Sequence, residues 1–498
     1  RGYAFAEVSG DPEVDQDSSN VKLIFSIQPG KKTYTRKILF TGNQVTQDHV
    51  LRREMRQFEG AWSSDDSIEA GKIRLERLGY FKEVNVETIP VPGTDDQIDV
   101  LYEVEEETTG SLGGNIGYSD FGLMLGFNLQ EQNFFGSGNT VGIGINKNIY
   151  SEVYNISFLD PYATKDGVSL GYNLYFRETD YGEFNVANYL TNSNGLGVQF
   201  GYPISDITRL NFNLTYDKTD IDIGTLPARE IYDFVAAEGN VFETLSLGFT
   251  WQRVTLNRGL FPTDGSSTSF TLTSTIPGSD INYYRANIRQ RFYQPLSSQL
   301  VFGFQGELGY LDAYGETDET PFFQNFYAGG PRSLRGFESN TLGPRSTNAP
   351  CYEFNYDDGT CPNLIDTDGD GELDSPYYNP YATTNEYSSR SRYRDPPIGG
   401  NIKIEGSLQL IFRLPFIEDQ RSLRSAFFFD FGNVFSDNCK EYQFNCYKPS
   451  IDDLRYSYGV GVTWITGFGP MSLAIAKPTN AGPQERTEEF QFTVGNVF

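Results

Sequence analysis

The sequence predicts a mainly β chain: a sixteen-stranded antiparallel transmembrane β-barrel preceded by a small α+β domain of order strand, helix, helix, strand, strand. Three observations lead there. From about Gly110 onward apolar residues alternate with small or polar ones; in 209–216, Leu210, Phe212, Leu214 and Tyr216 share one face and Arg209, Asn211, Asn213 and Thr215 the other. Aromatic residues make up 15% of the chain and glycines number 51, a mixture suited to strands and turns. No run approaches the ~18 consecutive apolar residues of a spanning helix. The mean hydropathy of -0.44 is no argument against a membrane, because lipid-facing and lumen-facing residues cancel in any average.

Taken in order, residues 1–30 offer two short strands, 3–8 and 21–26, joined by an acidic turn. Two strands alone are marginal in water, so this reads as the end of a preceding domain. Arg1 opens directly into polar sequence without a charged and then apolar leader, and the expectation is a mature chain cut from a longer one. Residues 31–107 form the mixed domain: a strand at 34–40, a helix at 49–55, a second helix at 64–78 capped by Gly79, and a hairpin of 84–89 with 98–104. Ile68, Gly71, Leu75 and Leu78 recur at three- and four-residue steps and supply one face to bury.

Residues 108–498 carry about sixteen alternating segments, beginning near 110, 122, 138, 151, 166, 192, 207, 244, 266, 283, 299, 401, 422, 455, 469 and 489. Connections after even segments are short (203–206, 294–298, 467–470); several after odd segments are long (219–243, 313–400, 436–454). Short periplasmic turns and long external loops have this parity, which puts the N-terminal domain in the periplasm. In hydrocarbon every backbone polar group needs a partner, so the first and last strands must meet.

The net charge of -27 and pI near 4.4 speak against nucleic acid, whose phosphates call for Lys and Arg, and suit an acidic solvated surface. Four cysteines fall in two close pairs, Cys351 with Cys361 and Cys439 with Cys446, inside polar segments. With His49 the single histidine, two loop disulfides in an oxidising compartment are favoured over zinc. Within the longest loop, Asp366, Asp368, Asp370 and Asp374 alternate around turn glycines, a spacing that suits calcium. The twelfth loop position is Tyr377 rather than Glu, so a solvated acidic loop stands as the alternative and no cofactor is required. No nucleotide motif is present, nor a nucleophile with a plausible base, so no enzyme activity is expected.

In the same loop the run Pro331-Arg332-Ser333-Leu334-Arg335-Gly336-Phe337-Glu338-Ser339-Asn340, preceded by Asn325-Phe326-Tyr327-Ala328-Gly329-Gly330, resembles the BamA family, the core of the Gram-negative outer-membrane barrel assembly machine. The likeness extends to Val50-Leu51-Arg52-Arg53-Glu54-Met55-Arg56-Gln57 with Glu59-Gly60-Ala61-Trp62, to Arg258-Gly259-Leu260-Phe261-Pro262-Thr263-Asp264-Gly265, and to the terminal 490–498. It implies that 31–107 is the last POTRA domain, 1–30 the remnant of the one before, and 108–498 the barrel. By resemblance, Glu59 with Arg52 and Arg56 meets a lipoprotein partner; a solvated charged helix end is the bland alternative.

Arg335, followed by Gly336 and Phe337, matches the motif arginine that folds into the lumen onto a wall carboxylate. Asp430, inward on 427–431, is the expected partner. The family's second acidic position aligns with Gln409 here, and Glu405, of the same parity, is the expected substitute. The last strand, with Phe490, Phe492, Val494 and Phe498 on one face, resembles the signal by which barrels are recognised. The resemblance implies a weak lateral seam against the first strand, from Gly110 to Tyr118, and a chain that folds client barrels into the outer membrane. The alternatives are a two-partner secretion pore, which shares the domain plan, and a passive porin, for which a POTRA domain has no purpose.

Overall fold

The computed structural model describes residues 2–3, 7–14, 21–119, 122–182, 186–223, 227–347, 396–414, 417, 422–440, 443, 446–466 and 469–495. Cys351, Cys361, the acidic segment holding Asp366, Asp368, Asp370 and Asp374, and the terminal Phe498 lie outside the described residues. The chain divides into two compact units, one of residues 1–112 with 129–142 and 158–161, the other of the remainder.

In the first unit, β1 (Glu7–Val14) and β2 (Val21–Gln28) pair antiparallel. The first of these lies further along than the 3–8 read from sequence, passing through Gly10-Asp11-Pro12. With β2 as its one neighbour it has an open side, and an edge strand accommodates proline.

The mixed domain follows as β3 (Tyr34–Thr41), α1 (Asp48–Arg52), α2 (Asp65–Arg77), β4 (Phe81–Pro90) and β5 (Gln97–Glu106). Its sheet has the order β3-β5-β4, with β3 parallel to β5, so α1 and α2 make the crossover that a parallel pair needs. The Ser64 side chain caps α2 by accepting from Ser67 N at 3.4 Å, and Gly79, at φ +70°, lets the chain leave it. Ile68, Gly71 and Leu75 are the buried face. A Cβ on Gly71 would stand 2.8 Å from Tyr102 Oη and 3.2 Å from Met55 Sδ. The glycine therefore sets how closely the helix lies on the sheet, and Tyr102 Oη closes the contact by donating to Ile68 O at 2.9 Å.

Sixteen antiparallel strands close into a barrel: Gly110–Ser119, Gly122–Glu131, Thr140–Lys147, Ser151–Asp160, Ser169–Asp180, Leu190–Ser205, Thr208–Asp222, Val241–Val254, Gly265–Thr275, Tyr283–Pro295, Leu300–Ala313, Ile402–Phe412, Leu423–Phe435, Arg455–Thr466, Gly469–Pro478 and Phe490–Val494. Each begins within three residues of its expected start, although the longest runs to 16 residues where about ten are typical. Exposure follows parity: Phe427 and Phe429 are 52% and 39% exposed, whereas Phe428 and Asp430 are 4% and 0%. The apolar outer face is thus the lipid surface and the polar inner face the lumen. A helix, Arg229–Glu238, sits in the loop between the seventh and eighth strands, where the sequence reading placed only a loop. Its Ile231 and Phe234 are buried in a cluster with Tyr189, Phe242 and Phe322, so packing with distant residues stabilises it. Cys439 and Cys446 form a disulfide in the loop after the thirteenth strand.

One carboxylate pins the first unit internally. Glu106, at the end of β5, accepts from the backbone N–H groups of Gln44, Val45 and Thr46 at 2.9, 2.9 and 2.6 Å. Burial pushes its carboxyl upward, but the hydrogen bonds from Thr46, Val45 and Gln44 outweigh that and hold it below the usual range. A lowered folded value means the stabilisation is present above the unfolded carboxylate range and is lost as pH falls through the folded value. Glu106→Gln is expected to speed amide exchange at 44–46 about five- to tenfold at neutral pH. Hydrogen-exchange mass spectrometry should show variant and native protein converging in acid; equal rates at neutral pH would remove Glu106 as the anchor.

Candidate functional site

Arg335 lies on the external loop between the eleventh and twelfth strands, and the loop folds inward so that its guanidinium meets the barrel wall. Nε donates to Asp430 Oδ2 and Nη2 to Asp430 Oδ1, both at 2.7 Å, while the Arg335 backbone N reaches Oδ2 at 3.2 Å. Nη2 also donates to Ser407 Oγ at 3.0 Å, and the guanidinium carbon stands 3.4 Å from the Phe428 ring centroid. The side chains are 7% and 0% exposed, so this forked pair is desolvated and held in one geometry.

Glu405 takes a different part from the one expected. It accepts from Ser333 Oγ and pairs with Lys403 Nζ at 3.0 Å, and Ser407 rather than Glu405 is the second acceptor for Arg335. A shift of two positions along one inward face accounts for the difference. Glu405 still fastens the loop motif to the wall, two residues before Arg335.

Gly336, at φ +90°, and Phe337, fully buried, form a two-residue strand paired with Thr487–Glu488, immediately ahead of the last barrel strand. A Cβ on Gly336 would come within 3.1 Å of Ala476 Cβ and 3.3 Å of Pro478 Cδ, so the loop backbone runs close against the fifteenth strand. Further bonds tie the loop to the same segment: Glu338 N to Arg486 O at 3.0 Å, Arg486 N to Thr341 Oγ1 at 2.9 Å, and Arg345 Nη2 to Gln484 O at 2.9 Å. Arg455 and Glu485, 8% and 2% exposed, pair at 2.6 Å beneath it. Sequence reading missed this second attachment, although parity opposite to Phe490 and Phe492 already turned Gln491 toward the lumen.

The barrel closes where its last strand meets its first. The last strand pairs with the fifteenth over five residues, from Met471↔Val494 to Ile475↔Phe490, with Leu473↔Phe492 between. Against the first strand it makes one described pair, Val494↔Tyr118. Between the fifth and fifteenth strands the ladders run from nine to fifteen pairs. Of ten residues in the first strand, Gly110, Gly113, Gly114 and Gly117 lack side chains, which weakens cross-strand packing and raises the entropic cost of order.

In the mixed domain, Glu59 accepts from Ile38 N at 2.8 Å and from Arg52 Nη1 at 3.2 Å, while Arg52 Nε donates to Asp48 at 3.1 Å. Glu59 and Arg52 are therefore engaged within the domain yet about half exposed, at 46% and 45%. Arg56 is exposed nearby, as is Phe58 at 70%. The structure brings Arg52 and Glu59 together and shows no direct pairing of Arg56 with Glu59 among the described residues.

The buried Arg335–Asp430 pair makes a quantitative prediction. Asp430→Leu alone strands the guanidinium and should cost about 3–5 kcal/mol, whereas adding Arg335→Leu should recover much of that. Guanidinium-chloride unfolding of the detergent-solubilised chain, read by gel mobility, measures both; additive losses would show that the two act separately.

The descriptions that match this chain agree with that geometry. An Omp85 superfamily domain covers residues 133–498 and a POTRA model, described as surface antigen variable number repeat, covers 33–107. The outer membrane protein assembly factor BamA of Neisseria meningitidis is 32% identical over the whole chain, which spans 60% of that relative's length. A crystal structure of BamA from Haemophilus ducreyi lacking POTRA domains 1-3 is 32% identical, with TM-score 0.78 over 99% of this chain and 90% of that one. CdiB from Acinetobacter baumannii, 13% identical with TM-score 0.53 over 99% of this chain and 78% of its own, shares the fold alone. With the Omp85 domain model matched over most of its length, a POTRA model over 33–107 and a closed sixteen-stranded barrel whose lumen loop grips the wall, the chain belongs to the Omp85 superfamily.

Proposed function

We propose that this chain folds and inserts β-barrel proteins into the outer membrane by opening laterally between its first and last strands. One observation carries the reading: the barrel closes where a first strand with four glycines in ten residues meets the last, at Tyr118 with Val494. An open edge presents unpaired N–H and C=O groups, and an incoming strand can take them up by β-augmentation. The glycine-rich first strand, Gly110–Ser119, yields most readily, because its backbone bonds have little side-chain packing behind them. No covalent step is needed; the client's own folding supplies the free energy.

The POTRA domain, by the same reading, receives an assembly-machine lipoprotein on the surface that holds Arg52, Arg56, Phe58 and Glu59. Phe58 provides apolar area and the charges set orientation. Resemblance to BamA relatives supports this choice over a two-partner secretion pore, since the CdiB likeness reaches the fold only.

The seam can be tested by locking it. A Tyr118→Cys/Val494→Cys variant, oxidised to a disulfide, should insert client barrels into proteoliposomes at least about tenfold more slowly than the reduced form, since strand exchange requires those groups to part. Undiminished insertion by the locked protein would refute lateral opening.

A further inference from the structure

The last barrel strand pairs with the fifteenth over five residues and meets the first at Tyr118, and toward the lumen it is bound by a side chain as well. Gln491, 1% exposed, turns inward and imitates a stretch of strand backbone: its Oε1 accepts from Gly336 N at 3.3 Å and its Nε2 donates to Phe337 O at 2.8 Å. These bonds continue the short ladder in which Gly336 pairs with Glu488 and Phe337 with Thr487. Gly336 adjoins Arg335, whose backbone N and guanidinium are both held by Asp430. An unbroken path of buried polar contacts thus runs from Asp430 on the thirteenth strand, through the loop motif, to the strand that forms one edge of the seam.

We propose that Gln491 is a positioning residue that fastens the last strand to the lumen loop, so that seam opening falls to the glycine-rich first strand and the loop's grip on Asp430 sets the mobility of the last. The inference rests on the reading of the seam as a gate and adds which edge moves. Only a carboxamide serves in this place. A carboxylate lacks the donor for Phe337 O, and an aliphatic side chain leaves both a buried N–H and a buried C=O of the loop without this partner. The neighbouring Glu488 carboxylate, 3.5 Å from Gln491 Nε2, accepts but cannot donate, so it does not replace the amide.

The full chain in lipid nanodiscs, followed by hydrogen-exchange mass spectrometry, tests this. In the native protein the amides of 110–118 should exchange faster than those of 490–494. Gln491→Leu should speed exchange at 490–494 about tenfold, and Arg335→Leu should do likewise; the double variant should exceed neither, since both cut one path. Exchange at 110–118 should not change. Gln491→Met, unbranched and close in length, guards against a packing artefact and should behave as Gln491→Leu does. Unaltered exchange in both Gln491 variants would overturn the assignment. So would Arg335→Leu and Gln491→Leu effects that multiply to about a hundredfold, or a native first strand slower than the last. If the locked seam still inserts clients, the gate reading falls while these rates stand. If the lock blocks insertion but the rates do not move, only the role of Gln491 falls.

Discussion

Backbone hydrogen bonding in hydrocarbon governs this molecule. A peptide N–H or C=O facing lipid without a partner costs several kcal/mol, so a chain that crosses with strands must close upon itself. Fifteen junctions of the barrel join strands that are neighbours in sequence, and one joins the first strand to the last. Here the first of those strands is a ten-residue segment with four glycines, and it meets the last at Tyr118 and Val494. Closure is satisfied in topology with little side-chain packing on one side of the junction.

A weak seam alone would let a barrel fray, and the lumen loop answers that problem. The loop between the eleventh and twelfth strands does not remain in external solvent; it enters the lumen and attaches to the twelfth and thirteenth strands by Ser333, Arg335 and their acceptors, and to the segment before the last strand by Gly336 and Phe337. The attachments rely on different physics. The Arg335–Asp430 pair is strong because it is dry and geometrically matched, and it is costly to leave half-made. The Gly336–Phe337 strand uses ordinary ladder bonds at close backbone approach, which glycine's missing Cβ permits. Together they brace the wall from inside, so that weakness at the seam stays local.

The period-two alternation made the barrel legible, because lipid on one side and lumen on the other impose opposite demands on neighbouring residues. Loop parity then oriented it, and the inward parity of Asp430 singled out the carboxylate that Arg335 grips. Expectation and structure part where long-range packing decides. The helix Arg229–Glu238 lies in a loop and is stabilised by residues more than forty positions away, such as Tyr189 and Phe322. Glu405 and Ser407 share a face, and only coordinates separate the one that meets Ser333 from the one that meets Arg335. The attachment through Gln491 was masked by the aromatic pattern around it: Phe490 and Phe492 draw attention to the lipid face, while the residue between them points to the loop.

Insertion by the proposed route works by exchange of strands. When a client strand replaces the first strand at the last strand's edge, or the reverse, one ladder substitutes for another and the backbone groups remain paired on both sides of the change. The net cost is small only if the ladder given up is poor, and four glycines in ten residues leave that ladder little side-chain support. The barrier is lowered by the same feature, since little side-chain packing must be lost before new bonds form. Between the fifth and fifteenth strands the described ladders run from nine to fifteen pairs, and such ladders keep those strands from joining the exchange. Place and ease of opening thus both follow from where the glycines lie in a closed sheet.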